Sequence, residues 1–435
     1  MATKIKVTGA FNGPDFVKGL ADQTAQYTVV NSTTATLTFV GGFDPSVTYT
    51  QTLSGTGFGI TADGRFTGTV TGFVGVNETV GSYWTFTNLS VPLNLVNTTA
   101  SGGLSFFDLL ISPTSYDFIG DSFDDVFILG SFDDVAKGRR GNDTFDGLSG
   151  DDTLYGGPGD DSLSGDQGDD LLHGGKGLDS MFGGIGSDTI RGRSGDDTIH
   201  GDADNDFLFG DDGRDTIFGG GGSDTAKAGN GRDVLDGGAG ADLLSGGNGR
   251  DHLDGGVDTD TLKGDAGDDV LVAGPVDDDA GDQMNGGDGD DVVTGYDGVD
   301  VLRGGKGADT LSGGNNLDKL FGGSGKDILA GGASSDQLVG GGGDDLLSGN
   351  ETGAVVYDNG LDVFLFLGRF GHDVVTDFHI NFDTIAFAGG IEASDVTVKV
   401  KGDDVKIVVS FLGTQSILVK GVADQFDANI DIVYA

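Results

Sequence analysis

GGPGDDSLS GDQGDDLLH GGKGLDSMF GGIGSDTIR, residues 156–191, passes four times through one pattern of nine, G-G-x-G-x-D-x-U-x, where U is apolar and only Asp166 departs from it, at the second glycine. Outward from this stretch the aspartate keeps its beat. It recurs every ninth residue from Asp125 to Asp269, 17 times, and after one break from Asp282 to Asp345, 8 times. Two residues behind it sits a small or apolar side chain, from Leu154, Leu163 and Leu172 through Ile217 to Leu347. A disordered Gly/Asp-rich linker has no use for an apolar residue at a fixed offset. A constant short period is what a stacked solenoid requires. The pattern predicts six residues of turn, G-G-x-G-x-D, and three of strand, x-U-x. Two units then complete an 18-residue coil with a strand on each side and the U side chains between. Glycine is needed where the turn takes positive φ and where carbonyl oxygens converge on one point.

The charge balance points to a cation. Over 435 residues, 24 Lys and Arg face 70 Asp and Glu, a net −46. Such a chain repels nucleic-acid phosphates and anionic membranes, so nucleic acid is excluded as a partner. Aspartates 18 apart would stack on neighbouring coils at ~4.8 Å. Two carboxylates at that distance repel by about 0.9 kcal/mol at the dielectric of water and ~3.5 kcal/mol at an effective value of 20. Only two apolar side chains per coil oppose this, so closure calls for a cation between stacked turns. Calcium takes six to eight oxygens in flexible geometry, which suits carboxylates and carbonyls together. Pairs 18 apart number 21 within the two runs, and one Ca²⁺ at each would bring +42 against −46.

The chain divides into three by composition. Residues 1–113 alternate Thr, Val and Phe with Gly and Asn clusters, which predicts an antiparallel β domain of six to eight strands. Residues 114–350 are the repeat. Its beat breaks once, near 273–281, where a four-residue insertion carries Pro275 and the acidic run 277–279. The phase recovers at once behind it, which predicts a loop bulging from continuous stacking. Residues 351–435 turn apolar again. Asp362 with Phe364 and Asp373 with Val375 are worn repeat units, and strands are expected at 396–400, 405–409 and 416–419. A solenoid needs atypical ends to cover its core, and both flanks serve as such caps. There are no cysteines, so disulfides and thiolate metal sites are out. Residues 1–13 lack the apolar core of a secretory signal. No run approaches the ~18 apolar residues of a membrane span, so no transmembrane segment is expected.

The repeat resembles the hemolysin-type calcium-binding repeats of RTX proteins, which Gram-negative bacteria export by type I secretion. The resemblance covers about 120–390. It implies an all-β fold, a calcium-bound parallel β-roll between an N-terminal antiparallel β domain and a C-terminal β cap. It implies many Ca²⁺ ions held in the turns by Asp carboxylates and glycine carbonyls. Carried over to this sequence, the ligands are Asp143, Asp152, Asp161, Asp170, Asp179, Asp188, Asp197, Asp215, Asp224, Asp233, Asp242, Asp251, Asp269, Asp291, Asp309, Asp327 and Asp345. Asp206, Asp260, Asp282, Asp318 and Asp336 keep the carboxylate but have another residue where the third glycine belongs, and stay outside this set. The terminus DANIDIVYA is similar to the uncleaved signals of type I export. The implied setting is secreted and extracellular, with the type I machinery as a partner and cell-surface association in view.

A catalytic constellation is hard to find. None of His173, His200, His252, His372 and His379 forms H-E-x-x-H, and no serine sits in G-x-S-x-G. The first three histidines are expected on the solvent side of the strands. The reading is therefore a non-enzymatic binding or structural component, acting in adhesion, matrix or surface-layer assembly on an extracellular glycan or cell-surface partner. The alternative is a secreted carbohydrate-active enzyme with its site in 1–113. Tyr155, Phe182, Phe209, Phe218 and Phe321 fall at the outward ninth position and offer lateral packing.

Overall fold

A computed structural model describes the backbone of strands between 5 and 108. It describes residues 118–434 with side chains, apart from 121, 123, 275–280, 351–359, 381, 401–402, 411–414 and 421–431. The described residues form two compact units, 1–207 and 208–435, and each is taken by itself.

In the first unit, strand Thr153–Pro158 pairs in parallel with Leu171–Lys176, with Leu154 opposite Leu172 and Tyr155 opposite His173. Ser162–Gln167 pairs likewise with Ser180–Ile185 on the other side of the coil. Every partner lies 18 residues on, so two parallel sheets face each other across the U side chains. Leu154, Leu163, Leu172, Met181, Ile190 and Ile199 are completely buried between them. The alternation of inward U with outward neighbours follows from the strand period of two.

The strands are longer than three residues. Thr153–Pro158 reads TLYGGP, so the ladder runs on through the first two glycines of the next unit. Gly157 keeps its partner Gly175 although its φ is 119°. A residue without Cβ holds a ladder position at a torsion other residues resist, which leaves a tighter turn than the motif suggests. Toward the N-terminus, Ile5–Ala10, Thr24–Asn31, Thr34–Val40, Thr48–Ile60, Phe66–Asn77 and Ser82–Pro92 pair antiparallel in sequence. Strand Asp117–Ile119 then joins the two arrangements, antiparallel to Ser82–Pro92 on one edge and parallel to Val135–Lys137 on the other.

In the second unit the same coils continue from Thr225–Gly231 to Gln337–Gly343. Thr261–Ala266 pairs with Gln283–Asp288 and Val270–Val272 with Val292–Tyr296, so stacking carries straight across the insertion. The run 277–279 and Pro275 lie outside the described residues. At the far end, Val363–Leu367 pairs in parallel with Thr384–Ala388, and His372–Val375 with Gln415–Val419. Val396–Lys401, Asp404–Val409 and Gln415–Val419 form an antiparallel meander over that end. Phe364, Phe366, Phe370 and Phe387 fill the space beneath it and are buried. Large rings replace the single U residue where no further coil follows to cover the core. The terminal stretch 426–431 lies outside the described residues.

Candidate metal centre

The ladder aspartates end their turns buried rather than on the surface: Asp152 and Asp170 keep 1% and 3% of their exposure. Each carboxylate divides its two oxygens. Oδ1 accepts the backbone N–H of the aspartate one coil earlier: Asp125 N–H to Asp143 at 2.8 Å, Asp152 N–H to Asp170 at 2.7 Å, Asp233 N–H to Asp251 at 2.9 Å. The side chains therefore tie adjacent coils together at their edges. The sequence suggested two carboxylates facing each other across a gap; in the structure one carboxylate accepts the backbone N–H of the other aspartate instead.

Oδ2 is the atom left over. In Asp143, Asp152, Asp161, Asp170, Asp179 and Asp188 it is buried with no hydrogen-bond partner, and the same holds for Asp242, Asp251, Asp269, Asp291, Asp309, Asp327 and Asp345. A buried acceptor without a donor costs about 1–3 kcal/mol, and more when charged. Its surroundings add no donor. A Cβ built on Gly165 would meet Oδ2 of Asp170 and, at 2.8 Å, the carbonyl oxygen of Gly183. Gly147 stands in the same relation to Asp152 and the Gly165 carbonyl at 2.7 Å. The small spaces beside Asp152 and Asp170 are thus each bordered by a carboxylate oxygen and a carbonyl oxygen, and glycine at 147 and 165 leaves them open.

Burial is the main electrostatic fact here. Desolvation pushes Asp143 up to about 7, Asp152 to about 8 and Asp161 to about 6. The backbone hydrogen bond at Oδ1 pulls each of them down, and neighbouring aspartates raise them further. Repulsion between stacked carboxylates is present, but loss of water outranks it. Among the described residues no group of three or more His, Cys, Asp or Glu converges on one point. A cation here would take one or two carboxylates and complete its shell with carbonyls, as calcium does. The donor set fits a hard divalent cation.

All 17 aspartates picked from the sequence occupy this ladder and are buried. So do the five set aside for lacking the third glycine. Asp206, Asp260, Asp282, Asp318 and Asp336 accept the same coil-to-coil bond, at 2.7–2.9 Å. Asp204, Asp258, Asn316 and Ser334 stand in the glycine's place and adopt positive φ, between 70° and 88°. Asp and Asn tolerate that region better than most residues, so the turn survives the substitution. Further aspartates of the beat, left out of the ligand set, are buried on the same ladder: Asp125, Asp134 and Asp300, with Asp362 and Asp373 of the worn units accepting the N–H of Asp336 at 2.9 Å and of Asp345 at 3.1 Å. The apolar residue two places behind each was the available signal. The outward histidines are half-buried rather than free in solvent: His173 stacks on Tyr155 at 5.0 Å and His200 on Phe182 at 4.8 Å.

A chain of coils closed by turns that converge oxygens is a calcium-binding repeat fold. The model of the RTX calcium-binding nonapeptide repeat matches at nine overlapping places between 119 and 347, over half of the chain. The chain belongs to this family. It is a calcium-binding RTX repeat protein, of a kind typically secreted, and among the described residues no helix is long and apolar enough to cross a membrane. No curated protein matches it. Similar solved structures include the following two. A subunit of the mannuronan C5-epimerase of Azotobacter vinelandii is 24% identical over 39% of this chain and 80% of its own, with a TM-score of 0.18. The extracellular lipase LipA of Serratia marcescens is 21% identical over 58% of this chain, with a TM-score of 0.19, and this chain spans 40% of its length.

These names correct the expectation of a chain without enzymatic activity. The repeat accompanies an epimerase and a lipase, so a calcium roll is no sign that catalysis is absent. The missing H-E-x-x-H and G-x-S-x-G motifs exclude two chemistries and no more. The likeness lies in the repeats and brings no catalytic residue to this chain.

Proposed function

We propose that calcium is the folding ligand of residues 114–350, held by Oδ2 of Asp143, Asp152, Asp161, Asp170, Asp179, Asp188, Asp197, Asp215, Asp224, Asp233, Asp242, Asp251, Asp269, Asp291, Asp309, Asp327 and Asp345 with the facing glycine carbonyls. Asp260 and Asp318 join them on the same geometry. When bound, the ion supplies positive charge to buried carboxylate and carbonyl oxygens. The observation that carries this reading is the row of buried Oδ2 atoms without a hydrogen-bond donor at Asp143, Asp152, Asp161, Asp170, Asp179 and Asp188, and again from Asp242 to Asp269 and at Asp291, Asp309, Asp327 and Asp345 on the nine-residue beat. The chain's own residues do the rest: Oδ1 fixes each carboxylate to the preceding coil, and glycine keeps the space clear.

Extracellular calcium modules bind at roughly 10⁻⁴–10⁻³ M. A cytosolic concentration leaves the roll open, in a form that a type I exporter can thread, and the outside concentration closes it. The folded roll then acts as an extracellular scaffold for 1–113, which engages a glycan or a cell-surface component. Residues 426–435 serve as the export signal and 351–435 as the cap. Circular dichroism of the full chain tests the core of this reading. Millimolar calcium should raise a β spectrum cooperatively and a strong chelator should abolish it; a β spectrum indifferent to chelation refutes calcium as the folding ligand. Removing 426–435 should stop export in a strain with a type I exporter. The calcium-loaded chain incubated with polysaccharides reports binding and turnover together.

A further inference from the structure

The basic residues of the repeat are segregated. Within each unit, every Lys and Arg between 135 and 345 falls in the half-coils of one sheet and the alternating half-coils hold none, 15 residues in all. Calcium ligation does not ask for this, because the aspartate ladder runs along both edges of each coil alike. Solubility and sheet stability would both be served better by mixing the signs.

The register lines the charges up. In the second unit the outward ninth position of one sheet reads Lys227, Ser245, Lys263, Asn285, Arg303 and Phe321 on successive rungs. The same position of the other sheet reads Phe218, Asp236, Asp254, Val272, Thr294 and Ser312. The first unit repeats the contrast. Lys137, Tyr155, His173 and Arg191 stand on one sheet, against Asp146, Ser164, Phe182 and His200 on the other. Lys137, Arg191, Lys227, Lys263 and Arg303 are exposed. On the acidic sheet the Oδ1 atoms of Asp146 and Asp254 have no hydrogen-bond partner, and Asp166 and Asp236 crowd those two carboxylates with like charge. One face offers Lys and Arg, and the other holds carboxylates with no Lys or Arg on their own sheet between 135 and 345, His252 beside Asp254 being the one basic group acting on either.

We propose that the two faces are halves of one interface, and that calcium-loaded copies of this chain stack sheet on sheet, the basic file of one against the acidic file of the next. Both files sit at the same repeat position and advance by the same ~4.8 Å per coil, so their charges can stay in step along the contact. Packed sheets lie ~10 Å apart, a gap that Lys and Arg side chains span. Seven strands of the basic sheet, from Thr225–Gly231 to Gln337–Gly343, cover ~670 Å² at ~20 Å of strand length each, so a face-to-face pair buries ~1,300 Å², within the range of specific interfaces. Phe182 and Phe321 add apolar area at outward positions. The contact joins unlike faces on opposite sides of the coil, so it continues from copy to copy as an open stack. A net charge of −46 opposes association until cations offset it, so this proposal rests on the calcium reading.

The test uses the full chain in millimolar calcium, with circular dichroism recorded beside sedimentation velocity. Wild type should give a full β spectrum and sediment as large oligomers at 50 mM NaCl, with association weakened on the order of tenfold or more at 500 mM. Reversal of the basic file (Lys227→Glu, Lys263→Glu, Arg303→Glu) should leave the β spectrum and yield monomers. Reversal of the acidic file (Asp146→Lys, Asp236→Lys, Asp254→Lys) should do the same. Mixed, the two variants should co-assemble, since each then offers the face the other has lost. If a reversed chain does not fold, the neutral Lys227→Gln, Lys263→Gln, Arg303→Gln set takes its place and should still weaken assembly. Wild type that is folded but monomeric at low salt overturns the proposal, as do folded variants that assemble like wild type. Folded monomers that bind an anionic polysaccharide through the basic file overturn it in favour of that ligand. Absence of a β spectrum in calcium sinks the calcium reading, and the proposal with it.

Discussion

Replacing Asp152, Asp170 and Asp188 together separates the two oxygens of the ladder carboxylate. Asparagine keeps an Oδ1 acceptor for the N–H groups of Asp134, Asp152 and Asp170, which reach it at 2.6–2.7 Å. It puts an N–H₂ where Oδ2 stood, facing the carbonyls of Gly165, Gly183 and Gly201. Burial holds the three carboxyls up at about 8, 6 and 7, so at pH 7.5 the metal-free roll holds Asp170 and Asp188 mostly charged against their surroundings and Asp152 mostly protonated, and either state costs free energy relative to the ionised carboxylate of the unfolded chain. Halved for solvent screening, the relief from asparagine is roughly 2 kcal/mol per site. Alanine gives the same relief but strands three buried N–H groups at about 1–3 kcal/mol each. The triple Asn chain should therefore show more β signal than wild type in chelator and need more calcium to complete its transition. The triple Ala chain should lose signal in both conditions. Circular dichroism against calcium concentration reads both. If Asn and Ala behave alike in chelator, or if Asn leaves the calcium midpoint unmoved, the division of labour between Oδ1 and Oδ2 is wrong.

The ladder also fixes a pH dependence. Folded carboxyls raised to about 6–8 from 3.8 bind protons that the unfolded chain has released. In chelator the stability from this uptake is complete below pH ~3.8 and disappears as pH rises through 6–8, so β signal should be greater at pH 5 than at pH 8. In calcium the order reverses, since protons compete with the ion, and the calcium midpoint measured by circular dichroism should climb below pH ~6. Gly165→Ala drives a Cβ into the space beside Asp170 and should lower the denaturation midpoint in calcium, by about 1–3 kcal/mol. Gly342→Ala meets nothing nearer than 3.6 Å and should be silent in the same assay. Deleting 275–278 restores the beat of nine while Asp260 still bonds Asp282, 2.7 Å apart. One calcium transition should remain, and two would show that stacking does not cross the insertion.

The sequence by itself determined the period, and with it most of the fold. An aspartate every nine residues with an apolar residue two behind places Leu154 and Leu172 in one row and Asp152 and Asp170 in another, because a period of nine returns each residue to the same edge every second unit. The calcium-binding character was legible for the same reason: no other simple demand asks for aspartate and glycine at fixed offsets over so many units. Only the tertiary structure decided what each atom of the site does. Whether a carboxylate faces its neighbour or bonds its backbone depends on a coil-to-coil offset that no single unit encodes. Whether Asp260 equals Asp242 as a ladder residue depends on Asp258 accepting a positive φ, which stacking on both sides enforces. Whether the insertion divides the stack depends on Thr261 finding Gln283, 22 residues away rather than 18. The segregation of Lys and Arg onto one sheet was written in the letters all along. It became visible only when the coil sorted alternate units onto opposite faces, since charge acts through space and the chain records only order.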